Sequence, residues 1–441
     1  MFIFNGTGRR KCGGMLIEWT NWICSLRTDE LIFALGILLC IDAPRYVYSA
    51  ILMAVWDLMK SLWTRSLHGP KTTTYTYCPP VSVIIAGHNE ADTIASTMQS
   101  VWNRYPEVQM IVVDDGSTDG MTAAAQQFAA GRKQILVIRR DRRGGKSSAL
   151  NLGLHYATAE IVITLDADSK LSDNAIFELL QPLQDPEVAA VSATVLAWNP
   201  LASLAAWLQA YEYRQTIFIS RMTRGRLGVL GIVSGAFGAF RTSVLRQLGG
   251  WDVGPGEDGD LVLRIRKAGY QIGMAPYANC FTNVPTSWIR LFYQRCRWDR
   301  TVITFECRKH GDMAFPWNRH FAWSNCFLLV ERWLFNIVCV FMFWFYGIWM
   351  LTVYPESSLK LLALLYCCGL CLELLQMLVL LFYSDRFKHD LLLSMVVPLY
   401  PIYQVYLKVV DVFALTREIL FRESGEDNFV PLHVRIATWR W

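Results

Sequence analysis

Long apolar runs stand near both ends of this chain, and a mixed stretch lies between them. That placement limits the possible folds more than any other feature. Residues 31–56, 321–354, 359–383 and 391–415 are each long enough to cross a hydrocarbon core, which takes about 20 residues of helix. Hydrophobic residues make up 53% of the 441 and charged ones 18%, a mean between soluble and integral membrane proteins. The expectation is a water-facing catalytic region held by membrane helices. Its parts are an N-terminal membrane region (1–70), a soluble domain (71–315), a C-terminal membrane region of about three spans (316–416) and a tail (417–441). Asp42 and Arg45 interrupt the first run one helical turn apart and neutralise each other on one face, beside Pro44. Lys60, Arg65 and Lys71 place the domain that follows on the cytoplasmic side, whereas Arg9 to Lys11 argue the other way and leave a second N-terminal span open. Pro398 and Pro401 leave the last run either spanning or re-entrant.

The net charge of +5 is mild and not gathered into a basic face, which argues against nucleic acid as a partner. The seven histidines show no zinc-ligand spacing. Short apolar runs at 81–86, 110–113, 135–138 and 161–165 alternate with helix-like stretches at 91–103, 118–130 and 146–157. Strands and helices alternating at these lengths predict a parallel, doubly wound α/β sheet. Ligands of such sheets sit beyond the carboxyl ends of the strands. Residues 201–219 are amphipathic and lie either on the membrane surface or against the sheet; residues 288–298 form a second interfacial stretch.

The acidic clusters fall at those strand ends. Asp166 and Asp168, one residue apart, present hard oxygens that suit Mg²⁺ or Mn²⁺ bridging a diphosphate. Asp114 and Asp115, before Gly116, can accept hydrogen bonds from a base or ribose. Asn89 and Glu90, after His88, either read a base edge or cap the next helix. Lys146 opens a helix after Gly144-Gly145 and can reach donor phosphates. Arg139 to Arg143 has Arg-x-x-x-Arg spacing, which reads first as a solvated face. Glu257-Asp258 supplies a general base, preferably Asp258, for an acceptor hydroxyl. Gln294, Arg297 and Trp298 share one helical neighbourhood, with an amide for sugar hydroxyls, a guanidinium for the diphosphate and a flat face for a sugar ring. In this order the clusters point to sugar transfer from a nucleotide donor at a membrane.

Residues 81–298 resemble processive family 2 glycosyltransferases, the group holding poly-N-acetylglucosamine, cellulose and hyaluronan synthases. The architecture is most similar to poly-N-acetylglucosamine synthases. Glu257-Asp258 resembles the second half of the family's Thr-Glu-Asp motif and Gln294 to Trp298 its Gln-x-x-Arg-Trp motif. Residues 233–241 resemble its acceptor-side loop, with Ser234 and Gly235 as acceptor contacts. The resemblance implies a GT-A (Rossmann-like) cytoplasmic catalytic domain flanked by transmembrane α-helices. It also implies a UDP-sugar donor, an inverting β-transfer, and a polysaccharide extruded across a bacterial inner membrane. Asp114 and Asp115 would contact the nucleotide, Asp166 and Asp168 the donor and metal, and Trp298 the acceptor sugar. Small accessory membrane subunits or envelope export proteins are implied partners. Gly256 stands where the family has Thr, and His88 where Tyr is common. The stretch after the last apolar run is expected to be too short for a cyclic-dinucleotide-binding domain. Two other readings share parts of this pattern: non-processive transfer of one sugar to a lipid carrier, and a non-catalytic membrane scaffold or transporter.

Overall fold

The computed structural model describes residues 21, 25, 47–64, 75–252, 256–355, 358–426 and 430–434. Most of the first apolar run, with the Asp42–Arg45 pair, lies outside these residues; its end enters α1 (Ser49–Thr64). The alternation expected from the sequence is present as β1 (Val81–Gly87), α2 (Ala91–Val101), β2 (Val108–Asp114), α3 (Met121–Ala129), β3 (Ile135–Arg139), α4 (Lys146–Tyr156) and β4 (Ile161–Asp166). These four strands are parallel, with β2 and β4 flanking β1. Register pairs Gly87 with Asp114 and Ala86 with Asp166, so the acidic strand ends share one edge.

The rest of the sheet departs from the all-parallel expectation. After β5 (Lys170–Leu171), α5 (Ala175–Leu180) and β6 (Val188–Ala197), the chain runs through α6 (Leu204–Tyr213), a π-helical stretch and α7 (Arg221–Arg226) to β7 (Phe237–Arg241). It continues through α8 (Thr242–Gln247), α9 (Glu257–Lys267) and β8 (Gln271–Thr282). The order is β3-β2-β1-β4-β7-β6-β8-β5, with β7 antiparallel to both β4 and β6. The sheet is therefore mixed. The sequence pattern did not reveal β6 because every residue in it is buried, and a continuous run of small apolar residues has no strand period to read.

One core packs Val83, Ile85, Met110 and Ile163 against α2, α3 and α5 on one face of the sheet. The other packs Ile84, Ile111, Val113 and Val162 against α4 and α9. Residues 201–219, left open between membrane surface and sheet, pack on the sheet: Ala206 and Ala210 of α6 lie against Val195 and Ala197 of β6. α10 (Trp288–Thr301) follows, then α11 (Trp323–Val353), α12 (Ser358–Tyr383), α13 (Phe387–Ser394) and α14 (Tyr400–Phe421). Helices α11 and α12 are long and apolar enough to cross a membrane. α13 and residues 397–421 make a third candidate bent by 41°, where Pro398 and Pro401 interrupt the ladder. α10 packs along α14, leaving Trp288, Ile289 and Tyr293 exposed.

Candidate active site

The carboxyl edge of the parallel strands opens into a cleft of about 890 Å³, walled on its far side by α6, α9, α10 and the C-terminal helices. It gathers Glu90, Asp115, Lys146, Asp166, Asp168, Ser234, Gly235, Glu257, Asp258, Gln294, Arg297 and Trp298. Residues more than 200 positions apart in the chain thus meet on one surface.

On the strand side, Asp115 accepts hydrogen bonds from the backbone N–H groups of Gly144 (2.8 Å) and Gly145 (2.7 Å), with Arg140 Nη1 at 3.3 Å. The carboxylate thereby fixes the start of α4 and the position of Lys146. Lys146 Nζ is bonded to Asp166 Oδ1, lies 3.3 Å from the Gly235 carbonyl oxygen and 4.0 Å from Glu257 Oε1. Burial alone would lower its pKa, but Asp166 and then Glu257 hold the ammonium well above its usual range. Gly87 is held to glycine by close packing at this edge: a Cβ there would lie 2.5 Å from Met121 Cε and 2.6 Å from Ala167 Cβ.

Asn89 and Asp114 are committed to the loops rather than to the cleft. Asn89, at φ 59°, accepts from Thr118 N (2.9 Å) and donates its own N–H to Ser117 Oγ (2.8 Å). Asp114 accepts from Ser117 N (2.8 Å) and from the Thr122 hydroxyl. Glu90 and Asp168 do face the cleft. Burial first, and with it neighbouring carboxylates, raise both from their usual values. Crowded oxygen donors suit a hard divalent cation. Among the described residues, no group of three or more His, Cys, Asp or Glu forms a metal site unaided, so ligand oxygens would have to complete the shell around Asp166 and Asp168.

Across the cleft, α9 begins with Glu257 and Asp258. Asp258 Oδ2 accepts from Gly235 N (3.2 Å) and Oδ1 from Gly259 N (2.8 Å), so the carboxylate is aimed by two backbone donors. Burial, then Asp258, pushes Glu257 up to about 7. Gly256 has φ +78°, and a Cβ there would lie 2.8 Å from Thr301 Cγ2 and 2.5 Å from Phe305 Cε1. The glycine noted as a departure from the family pattern is thus required by both conformation and space.

On α10, Trp298 is 38% exposed at the cleft, with Arg295 stacked over its ring at 4.7 Å. Sequence reasoning missed Arg295, Glu212, Arg221, Asp299, Glu306, Arg332 and Asp411, which also line the cleft. Arg295 makes a two-pronged pair with Glu212 (2.6 and 2.8 Å), whose Oε2 also accepts from the Tyr403 hydroxyl (2.8 Å). Arg221 donates to Ser234 Oγ at 2.5 Å. Lys408 and Asp411 form the expected i,i+3 pair at 3.8 Å, yet Asp411 also reaches the cleft, as does Arg143 from the supposed solvated face. Only Arg295 carried a signal, its place inside the Gln294–Trp298 run. The others became visible when helices distant in sequence were packed together.

Residues 82–249 match the model described as "Glycosyl transferase family 2". The match takes in less than half of the chain; together with the GT-A-like mixed sheet it marks a domain similar to family 2 glycosyltransferases. Two curated relatives carry the name poly-beta-1,6-N-acetyl-D-glucosamine synthase: one from Staphylococcus epidermidis, 31% identical over 221 residues, and one from Staphylococcus aureus (strain MSSA476), 29% identical over 221 residues. Each match covers 49% of this chain and 53% of the relative, so the chain spans about half the length of the curated relatives it matches. A solved structure, the mannosyltransferase PcManGT from Pyrobaculum calidifontis in complex with GDP-Man and Mn2+, superposes with a TM-score of 0.57 at 20% identity. It covers 88% of this chain and 99% of that one, a likeness of fold.

Proposed function

We propose that this chain is a membrane-embedded, inverting glycosyltransferase that polymerises a polysaccharide from a nucleotide sugar and passes it across the membrane. The observation that carries the reading is the cleft in which Asp166, Asp168, Lys146, Asp258 and Trp298 meet beside the apolar helix α11.

Asp115 orders the start of α4 and presents Lys146 to the donor phosphates. Arg297 adds a second cation on the opposite wall. A divalent Mg²⁺ or Mn²⁺ held by Asp166 and Asp168 supplies neutralisation of the diphosphate charge when bound. Asp258, aimed by Gly235 and Gly259, takes the proton from the acceptor hydroxyl as that oxygen attacks the anomeric carbon. The bond to the diphosphate breaks in the same displacement, so the configuration inverts once. Glu257, held partly protonated near neutral pH, limits negative charge beside the incoming hydroxyl. Trp298 stacks the acceptor ring, Gln294 binds its hydroxyls, and Ser234 and Gly235 shape the wall beneath it.

The relatives' names make UDP-N-acetylglucosamine the first donor to try. The full chain in detergent, with Mg²⁺ or Mn²⁺, is expected to release UDP or GDP from one of UDP-N-acetylglucosamine, UDP-glucose, UDP-galactose, UDP-glucuronate or GDP-mannose. Absence of turnover for all five by folded protein sinks the enzymatic reading. A product of one added sugar, instead of a ladder on a gel, sinks polymerisation and leaves transfer to a lipid carrier.

A further inference from the structure

The peptide joining Ser234 and Gly235 stands between the two walls of the cleft and is held from three sides. The Gly235 N–H donates to Asp258 Oδ2 (3.2 Å), and the Gly235 carbonyl oxygen accepts from Lys146 Nζ (3.3 Å). A Cβ at Gly235 would lie 3.2 Å from that Nζ and 3.4 Å from Asp258 Oδ2, so little room is left between base and lysine. The third hold is Arg221, which also lines the cleft and opens α7 directly after the π-helical stretch 214–220. Such stretches recur at functional sites. Arg221 Nη1 donates to Ser234 Oγ (2.5 Å) and to Ser192 Oγ (3.2 Å) of β6. Arg295 and Arg332 of the same cleft are paired with Glu212 and Glu306, whereas Arg221 makes no ion pair among the described residues. A cation set among neutral hydroxyls is costly to bury unless a counter-charge stands near. Burial pulls the Arg221 guanidinium down to about 10, and the first charge that opposes this is Asp258.

We infer that Arg221 is a positioning residue for the base: by tying the Ser234 hydroxyl to β6 it fixes the Gly235 N–H, and that N–H aims Asp258 at the acceptor hydroxyl. The inference deepens the glycosyltransferase reading and rests on it. Every residue of β6 is buried, so Ser192 gives the guanidinium a fixed point within the sheet. The two hydrogens of Nη1 then bridge that point to the turn. Without Arg221 the turn keeps its own Phe237 N–H to Ser234 carbonyl bond (3.2 Å) but loses its side-chain tie to the sheet. A base displaced by about 1 Å costs rate and leaves donor binding intact.

The test is steady-state release of the nucleoside diphosphate by the full chain in detergent with Mn²⁺, from UDP-N-acetylglucosamine first and then from the other four nucleotide sugars. Binding of the released UDP or GDP with Mn²⁺ is titrated in parallel. Arg221→Gln is expected to lower kcat about 10- to 100-fold, with the donor KM and the nucleotide affinity unchanged. Arg221→Lys keeps a donor for Ser234 Oγ and is expected to restore part of the rate. Ser234→Ala is expected to lower kcat in the same sense. The double variant is expected to be no slower than Arg221→Gln, because both changes cut one link. Native kcat in a folded Arg221→Gln protein overturns the inference. A raised donor KM at unchanged kcat overturns it too, since Arg221 then binds substrate, as do losses that multiply in the double variant. If Arg221→Gln does not fold, Ser234→Ala decides alone, and native kcat in that variant overturns the inference. A folded native chain that turns over none of the five donors overturns the glycosyltransferase reading itself, a result distinct from an active native chain matched by its variants.

Discussion

Asp258 and Gly256 sit two positions apart and illustrate different constraints. Asp258 was picked out as a base because a carboxylate pair before a helix suits that chemistry; the structure adds the two backbone donors that aim it. Asp258→Asn loses the base and can keep only one of the two contacts, since its amide nitrogen donates and cannot accept. Turnover is expected to fall about 10²- to 10⁴-fold with nucleotide affinity retained, measured by diphosphate release and by titration. Gly256 is a matter of backbone. At φ +78°, with Thr301 and Phe305 against it, Gly256→Thr is expected to cost about 1–3 kcal/mol, read as a lower unfolding temperature in detergent. An unchanged midpoint would show that the turn before α9 is not held in this conformation.

Between elements, buried charge pairs set the geometry. Asp260 in the first turn of α9 accepts from Arg264 Nε (2.9 Å), Lys309 Nζ (2.7 Å) and His310 Nε2 (2.8 Å), clamping α9 to the helix that follows α10. Burial alone would raise its pKa, but His310, Arg264 and Lys309 together depress it. A depressed carboxyl stabilises above its unfolded pKa and loses that contribution as pH falls through the folded value. His310, lowered chiefly by burial, acts in the same direction: protonation favours the unfolded chain as pH drops below about 6.5. The unfolding temperature should therefore fall as pH is lowered from 7 to 3. Asp260→Asn should flatten the acid end of that curve; equal slopes in both proteins would refute the clamp. Glu212 is a second clasp, joining α6, α10 and α14 through Arg295 and the Tyr403 hydroxyl. Glu212→Gln leaves a buried guanidinium short of its counter-charge and should cost about 3 kcal/mol or more, checked by denaturation.

For the molecule as a whole, the cleft and the apolar helices form one structure, since α14, on which α10 packs, is both part of the cleft wall through Asp411 and packing for α12. Extraction of membranes at alkaline pH should leave the chain in the pellet, while detergent should release it. Recovery in the alkaline supernatant would argue against spanning. Chelation should abolish turnover, and Mn²⁺ or Mg²⁺ should restore it if Asp166 and Asp168 hold a cation with the diphosphate; full activity in excess chelator would exclude that role. Strands β1 to β4 and their helices were legible because each is short, apolar and punctuated by Gly, Asp or Pro. Strands β6 and β7 were not, because burial on both faces erases the period-two pattern and β7 enters antiparallel from a distant segment.

Local chemistry in the sequence was enough to place acids at strand ends, to mark Gln294 to Trp298 as one patch, and to bound the catalytic region by apolar runs. These follow from residue spacing and from the hydrophobic length of a bilayer. Which acids face a ligand could not be read locally. Asp114 and Asp115 are neighbours, yet one closes its own turn and the other lines the cleft. Asp299, Glu306 and Asp411 come from three segments with no common motif and line one cleft only through helix packing. Spacing along the chain specifies neighbours within an element, whereas burial and hydrogen-bond satisfaction depend on what other elements bring.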